Sequence, residues 1–348
     1  MKNTKVGIVG LGRQGMLHFM NCFKIDGIEV VGVADSSKNA LARARSFGVS
    51  NLYSNYNDLF KAHPDLDAVL LSVPNFLHLP SIEAALEAGF DVFAEKPLAN
   101  TVEECEQIVN LVRKSGRKLM IGHNHRFYEA IERIKSDFDN GFIGDLEAVT
   151  AEEIINGPFA HPAVPKPVAE WWFDSSKAGG GALLDVGYHM IDLFRFIAGD
   201  AEVAYSYLGH RLNLPLEDSA IAILKSKNNV KGIINVGWYE RTVFPQFNFR
   251  VILHGNAGFR NTSDFAPKNL YSFAVKVGLK NIFNRAVRKK IRPLRYTYFY
   301  ESYFKELEYF FGCVQSNVMP SISAEDGLKT LQIIQRAYSS AKEANING

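Results

Sequence analysis

The stretch from Val6 to Asp35 constrains this chain more than any other, because it reads as apolar run, glycine turn, helix, apolar run and acid in unbroken order. Lys5-Val-Gly-Ile-Val9 is short and apolar, and it runs straight into Gly10-Leu-Gly12-Arg-Gln-Gly15. Each glycine answers a separate demand. Gly10 lets the chain turn tightly, Gly12 lets backbone N–H groups approach a ligand, and Gly15 lets the next helix pack closely on the strand. Met16, Leu17, Met20 and Phe23 then recur at helical spacing. A helix starting near Gly12 aims its unpaired N–H groups and positive dipole end at the turn, which suits a phosphate. The second apolar run, Ile28 to Ala34, ends in Asp35, 20 residues beyond Gly15, where a carboxylate can accept hydrogen bonds from a ribose. The expectation is a dinucleotide cradle. Asp35 turns it toward NAD over NADP, since a carboxylate repels a 2′-phosphate and Ser36 and Ser37 bring no arginine to receive one. Lys38 and Arg43 lie close enough in sequence to weigh the other way.

The alternation continues beyond Asp35. An alanine-rich helix over Asn39 to Phe47 is stopped by Gly48, and a short strand lies around Leu52 and Tyr53. Asp67 to Val73 is a continuous apolar strand of the kind buried on both faces of a parallel sheet. A helix over Ser81 to Ala88 closes at Gly89, a strand runs from Asp91 to Glu95, a helix from Val102 to Lys114 ends at Gly116, and Lys118 to Gly122 is the next strand. Strands alternating with helices predict a doubly wound Rossmann domain over residues 1–122. From 123 to 348 the pattern is richer in strands: Leu146 to Ile154, Val203 to His210, Ser219 to Lys225, Val230 to Trp238 and Phe247 to His254. An α+β domain is predicted there, with a large, mainly antiparallel open sheet packed on one face and free on the other. A last helix over 324–341 is placed to pack back on the first domain.

Composition narrows the function. With 348 residues, 47% hydrophobic, 22% charged and a net charge of +2, the chain has room for two cores and no bulk charge for nucleic acid. Cys22, Cys105 and Cys313 lack the paired spacing of a zinc site or disulfide framework and read as buried thiols in a reducing cytoplasm. No signal-peptide pattern opens the chain, and no apolar run approaches the ~20 residues that span a bilayer. One stretch stands apart. Between Lys268 and Arg295 lie Lys276, Lys280, Arg285, Arg288, Lys289, Lys290 and Arg292 with no acid, interleaved with Phe273, Val277, Leu279, Ile282, Phe283 and Val287. A basic amphipathic helix there suits an anionic membrane surface or a phosphorylated ligand, and a solvated insertion is the plainer alternative.

Polar residues cluster where strands of the first sheet end, which is where ligands bind in such sheets. Pro74, Asn75 and His78 follow one strand, and Glu95-Lys96-Pro97 follows the next. A lysine held between a buried strand and a proline can hydrogen-bond a hydroxyl or move a proton, and the Lys96–Pro97 bond is a candidate for the cis form. The strongest further pattern is Asp185, His189 and Asp192, at i, i+4 and i+7 of an otherwise apolar helix following Gly179-Gly-Gly. Polar groups on such a helix are costly unless bonded or used. An imidazole one turn from a carboxylate suits a general acid and base near neutral pH. Asp and His on one face also suit a metal, but no third ligand of similar clarity follows, so no metal is expected.

Together, Gly10-x-Gly12-x-x-Gly15, Asp35, Pro74-Asn75-x-x-His78, Glu95-Lys96-Pro97, Asn124-His-Arg126-Phe127 and Asp185-x-Gly-x-His189-x-x-Asp192 resemble the glucose-fructose oxidoreductase, inositol dehydrogenase and rhizopine-catabolism family, over nearly the whole chain and in order. The resemblance implies a nicotinamide domain joined to an α/β domain whose open sheet makes a homodimer or homotetramer. It implies hydride transfer between NAD and a hydroxyl or keto carbon of a sugar, cyclitol or sugar nucleotide. Lys96 and His189 then handle the hydroxyl proton, while Asp185 orients the substrate or the histidine. Asn75, His78, Glu95 and Lys96 would border the nicotinamide, and Asn124 and Arg126 the hinge. The expected cofactor contacts are Gly10, Gly12, Arg13, Gln14, Gly15, Asp35, Ser72, Pro74, Asn75, His78, Glu95, Lys96 and Asn124, and the substrate contacts Lys96, Arg126, Trp172, Asp185 and His189. Two segments depart from the family pattern: residues 156–172, which end near Trp171 and Trp172, and the basic stretch at 268–295. Two alternatives remain open at this point, a non-catalytic NAD-binding sensor or scaffold and a peripheral membrane enzyme acting on a lipid- or nucleotide-linked sugar.

Overall fold

The computed structural model describes residues 3–161, 164–167, 169–238, 249–267, 269–287 and 297–346. They divide into two compact units, 1–123 with 303–328, and 124–302 with 329–348.

The first unit alternates strand and helix as its sequence predicts. Its elements are β1 (Thr4–Val9), α1 (Arg13–Cys22), β2 (Ile28–Ala34), α2 (Lys38–Ser46), β3 (Leu52–Tyr53), α3 (Tyr56–Ala62), β4 (Ala68–Leu71), α4 (His78–Glu87), β5 (Asp91–Ala94), α5 (Val102–Ser115) and β6 (Leu119–Ile121). The strands form one parallel sheet in the order β3-β2-β1-β4-β5-β6. Every residue of β4 and β5 is buried, which accounts for their continuous apolar runs. Helix α4 begins earlier than predicted, because Pro80 stands in its first turn, where its missing N–H costs nothing. Helix α5 is closed at both ends, by a capping box between Thr101 and Glu104 and by Gly116 in the left-handed region.

The second unit contains α6 (Glu129–Asp139), β7 (Leu146–Ile154), the hairpin β8 (Phe159–His161) and β9 (Val164–Pro167), α7 (Ser175–Ala178), α8 (Ala182–Ala198), β10 (Ala201–Gly209), β11 (Ser219–Ser226), β12 (Lys231–Gly237), β13 (Phe249–Gly255), β14 (Gly258–Asn261) and α9 (Leu270–Ala286). Its sheet runs β10-β11-β12-β7-β13-β14, with only β12 and β7 parallel. Strand β11 shows the alternation that made it legible: Ala220, Ala222 and Leu224 are buried and Ile221 is exposed. Helix α8 covers the buried face, packing on β12, β7 and β11.

The C-terminal helices are α10 (Thr297–Ser316) and α11 (Ala324–Ile346). Residues 303–328, most of α10 and the beginning of α11, belong to the first unit, and 329–348 to the second. The reason lies in the side chains of α10. Leu307, Phe310 and Phe311 are buried, Phe310 lies 5.7 Å from the Phe93 ring, and Gln315 donates to the Thr4 hydroxyl at 3.3 Å. Among the described residues no helix is long and apolar enough to cross a membrane, and Cys22, Cys105 and Cys313 are free and buried.

Candidate active site

Strands β1 and β4 are neighbours where the strand order reverses, so their carboxyl ends flank the crevice that binds ligands in doubly wound sheets. Gly10 follows β1 with φ +83°, and a Cβ there would stand 2.3 Å from the Ser72 carbonyl oxygen, so only glycine fits. A Cβ on Gly15 would stand 1.9 Å from the Gly10 oxygen, so this glycine lets α1 lie against the turn. Gly12 differs, because the space a Cβ would take is open. It is the N-cap of α1, where no side chain caps the end and no acid stands in the first turn. Beside Gly15, the buried Ser72 Oγ has no hydrogen-bond partner among the described residues. An open cradle, uncapped helical N–H groups and an unsatisfied hydroxyl fit a dinucleotide pyrophosphate.

Asp35 Oδ2 accepts from the Leu11 N–H at 2.5 Å, and Oδ1 accepts from the Ser37 N–H at 2.7 Å. The carboxylate expected at a ribose therefore also ties the glycine turn to the end of β2, and each oxygen retains capacity for a second bond. Arg43 donates to the Leu11 carbonyl at 3.4 Å, while Lys38 is exposed. Arg13 is exposed, and Gln14 donates its side-chain amide to the Tyr303 hydroxyl at 2.8 Å. Pro74 and Asn75 are half-buried at the start of the turn Asn75–Leu77. His78, expected at the cofactor, is fully buried, with its ring nitrogens 3.2 Å from the Leu98 carbonyl oxygen and 3.0 Å from that of Val73. These contacts brace the loop, and burial holds the imidazole below the usual histidine range despite those carbonyls.

At the end of β5 the Lys96–Pro97 bond is cis. Lys96 is half-buried, and its backbone N–H donates to Glu95 Oε2 at 3.2 Å. Glu95 is only 9% exposed, with Oε1 at 2.5 Å from His18 Nε2. Burial works to raise this carboxyl, but the hydrogen bond and charge of His18, then the charge of Lys96, hold it below the ordinary range. Glu306 of α10 completes the group, its ligand atoms within 4.8 Å of those of His18 and Glu95. A hydrogen-bonded N···O pair at 2.5 Å is too close for two ligands of one zinc-sized ion, whose bonds of about 2 Å spread the ligand atoms to ~3 Å or more.

Glu306 is fully buried, and neither carboxyl oxygen has a hydrogen-bond partner among the described residues. Burial, then the negative charge of Glu95, pushes its carboxyl well above the ordinary range. A raised folded value means stability present below the unfolded value of about 4.3 and lost as pH rises toward the folded one, at about 1.4 kcal/mol per pH unit. Glu306→Gln keeps the shape of the protonated acid but removes that dependence. Followed over pH 5 to 8, its melting temperature is expected to gain on the wild type as pH rises toward the folded value. A gap that stays constant across this range, measured by thermal melts of both proteins, would show that Glu306 is ionised in the fold.

In the second unit, α8 is seated by an acid from outside its own sequence. Glu217 Oε1 accepts from the Gly181 N–H at 2.9 Å, the Leu183 N–H at 3.0 Å and the Tyr338 hydroxyl at 2.7 Å. A carboxyl at a helix N-terminus satisfies orphan donors and meets the positive dipole end. Burial raises Glu217 in spite of those bonds.

The polar face of α8 divides its labour. Asp185 is half-buried and accepts from the Trp238 indole N–H at 3.1 Å. His189 is 6% exposed and stacks on the His125 ring at 3.8 Å between centroids. His125 in turn lies 3.2 Å from Glu153 Oε1 through Nε2 and 3.1 Å from Asn124 Oδ1 through Nδ1. Asp192, 1% exposed, is gripped by Arg126 through two bonds of 2.8 and 2.6 Å, with the guanidinium 5.0 Å over the Phe196 ring. Arg126, expected to meet substrate, grips this buried carboxylate because its planar fork matches both oxygens. Asn124, expected at the cofactor, is buried and donates to the Ser302 hydroxyl at 3.1 Å. Trp172 sits half-buried in the turn Glu170–Phe173, stacked on Trp171 at 4.8 Å.

His18, His125, Glu153, Glu217, Trp238 and Glu306 escaped the sequence reading. Glu306 stands between Tyr303 and Phe311 beside Lys305 and Glu308, so nothing in the sequence singles it out as the buried acid. His125 stands inside the Asn124-His-Arg126-Phe127 motif, but nothing in the motif says which ring it will meet.

Comparison with known proteins bears on this architecture directly. Residues 4–123 match the model of an oxidoreductase family with an NAD-binding Rossmann fold, and residues 131–259 match the GFO/IDH/MocA C-terminal domain. The chain is 26% identical to myo-inositol 2-dehydrogenase of Thermotoga maritima, over 97% of this chain and 96% of that one. It is 26% identical to inositol 2-dehydrogenase of Rhizobium meliloti, over 98% and 97% of the two chains. The crystal structure of scyllo-inositol dehydrogenase from Lactobacillus casei, with bound NAD(H) and scyllo-inositol, superposes with a TM-score of 0.79 over 99% of this chain and 98% of that one, at 23% identity, which shows the shared fold. Since both domain models of one family are met in order over most of its length, the chain belongs to the Gfo/Idh/MocA family of NAD-binding oxidoreductases.

Proposed function

We propose that this oxidoreductase interconverts a secondary alcohol and its ketone on a cyclitol, sugar or sugar nucleotide, in the cytoplasm and with NAD preferred to NADP. The observation that carries the reading is Lys96, half-buried at the carboxyl end of β5 in a sheet whose glycine turn fits a pyrophosphate. The substrate class is supported by relatives named for inositol, and by one named 1,5-anhydro-D-fructose reductase in Ensifer adhaerens. Asp35 at the end of β2 supports the choice of NAD.

When bound, NAD accepts or returns the hydride of the carbinol carbon. The residues of the chain manage the oxygen and its proton. The Lys96 ammonium donates to the substrate oxygen and stabilises negative charge developing there. His189 takes the hydroxyl proton as general base and returns it in the reverse direction. His125 holds the imidazole plane by stacking, and Glu153 fixes His125 in turn. Asp185 orients the substrate or His189, with Trp238 restraining its carboxylate. Trp172 stands in the segment that departs from the family pattern and is assigned to substrate selection. Tyr205, Tyr207, Ile221 and Ile233, each more than 40% exposed on the open sheet face, support a homodimer or homotetramer formed there.

Spectrophotometric turnover over inositol isomers, free sugars and nucleotide sugars, each with NAD and NADP, tests the reading. Turnover is expected with at least one polyol and a higher kcat/KM with NAD. A protein that binds NAD and turns over no member of the panel would be a sensor or scaffold.

A further inference from the structure

Helix α9 has two distinct faces. One is turned inward, where Val277 and Asn281 are each 5% exposed. The other is open: Val275 is 63%, Leu279 64%, Ile282 70% and Phe283 64% exposed. Their spacing of i, i+4, i+7 and i+8 places all four on one arc of the helix. The helix is a built element rather than a passing coil, for Asn269 caps it by accepting from the N–H groups of Tyr271 and Ser272 at 2.9 and 3.2 Å. Large side chains this exposed, in a continuous row, mark a surface made to be covered.

The charges around the row say by what. At 100° per residue, Lys276 and Lys280 border one edge of the apolar arc and Arg285 borders the other. All three are exposed. Between residues 268 and 295 the sequence holds no acid, and Lys268, Arg288, Lys289, Lys290, Arg292 and Arg295, which lie outside the described residues, add to the same sign. We propose that the exposed face of α9 docks on an anionic lipid bilayer, its apolar row entering the acyl boundary while the flanking lysines and arginine stay among the headgroups. Long basic side chains suit that level, since their stems are apolar and their heads remain wet. A second copy of this chain fits the face less well, because joining two such rows would bring like charges together along both edges. At about 25 Å the helix lies in the plane of a membrane and does not cross one.

Co-sedimentation of the full chain with phosphatidylcholine vesicles, with and without phosphatidylserine, tests this at low and high salt. The wild type is expected to pellet with phosphatidylserine vesicles at low salt, and to be released by high salt or by omitting the anionic lipid. Ile282→Glu, and separately Lys276→Glu with Lys280→Glu, are expected to lower the bound fraction about tenfold or more while leaving circular dichroism and NAD affinity unchanged. The proposal is overturned if the wild type stays in the supernatant with anionic vesicles, or if both variants bind like the wild type. It is overturned too if Ile282→Glu changes the sedimentation velocity of the free protein but not its lipid binding, which would assign the face to a second copy.

Discussion

Replacing Lys96 or His189 by alanine is expected to lower turnover by ~100-fold or more while NAD affinity stays within a few fold, the scale that loss of acid-base help carries. The two measurements separate because the phosphate and ribose ends of the cofactor cradle are built from other residues. Gly10, Gly12 and Gly15 shape the turn, Asp35 ties it to β2, and neither Lys96 nor His189 takes part in those bonds. Lys96 is anchored by its own backbone N–H to Glu95, so truncating its side chain leaves the His18–Glu95 pair in place. His189 differs, because its ring is half of a stack with His125. Alanine there also removes a surface on which His125 rests, so His189→Gln serves as a companion that fills part of the space without a titratable nitrogen. Turnover is expected to be low in both. Measuring NAD affinity by fluorescence and turnover with the best substrate of the panel decides the matter: wild-type turnover in Lys96→Ala and in both histidine variants would end the assigned roles.

How far such a site is legible in sequence depends on how far apart its partners lie. The glycine turn, α1, β2 and Asp35 are local, and all were readable, because each glycine answers to neighbours within a few residues or to the strand beside it. The continuous runs of β4 and β5 and the alternation of β11 were readable for a similar reason, since burial on two faces or one leaves its period in the sequence. The i, i+4, i+7 face of α8 was readable as a face, but not what each member would meet. Trp238 is 53 residues from Asp185, Arg126 is 66 from Asp192, and Glu153 is 28 from His125. Periodicity carries no information about such partners. The packing of α10 in the first unit was hidden for the same reason, since Gln315 meets Thr4 across 311 residues. Helix α9 was legible as basic and amphipathic, yet only the coordinates separate its inward face from the row that remains exposed.

Asp192→Ala is expected to destabilise the protein by roughly 3–5 kcal/mol, the range for breaking a buried ion pair by removing one partner. The Arg126 side chain is 9% exposed and Asp192 1%. Without the carboxylate, two guanidinium N–H groups lose their acceptors in a place where water has little access, and the charge keeps its desolvation cost with its main compensation gone. Asp192→Asn keeps the shape and one acceptor oxygen, so its loss should be smaller. The reciprocal change, Arg126→Met together with Asp192→Leu, removes both charges and should recover most of the stability, since replacing a buried pair with apolar groups of similar volume is often neutral. Chemical denaturation of the four proteins measures this. The same set bears on function: if Arg126 only holds the turn Asn124–Phe127 against α8 through Asp192, the double variant keeps the KM of the wild type, whereas a substrate ligand would betray itself by a raised KM in a protein of restored stability. A loss below about 1 kcal/mol in Asp192→Ala would place the pair among weak, solvent-screened contacts and refute its structural role.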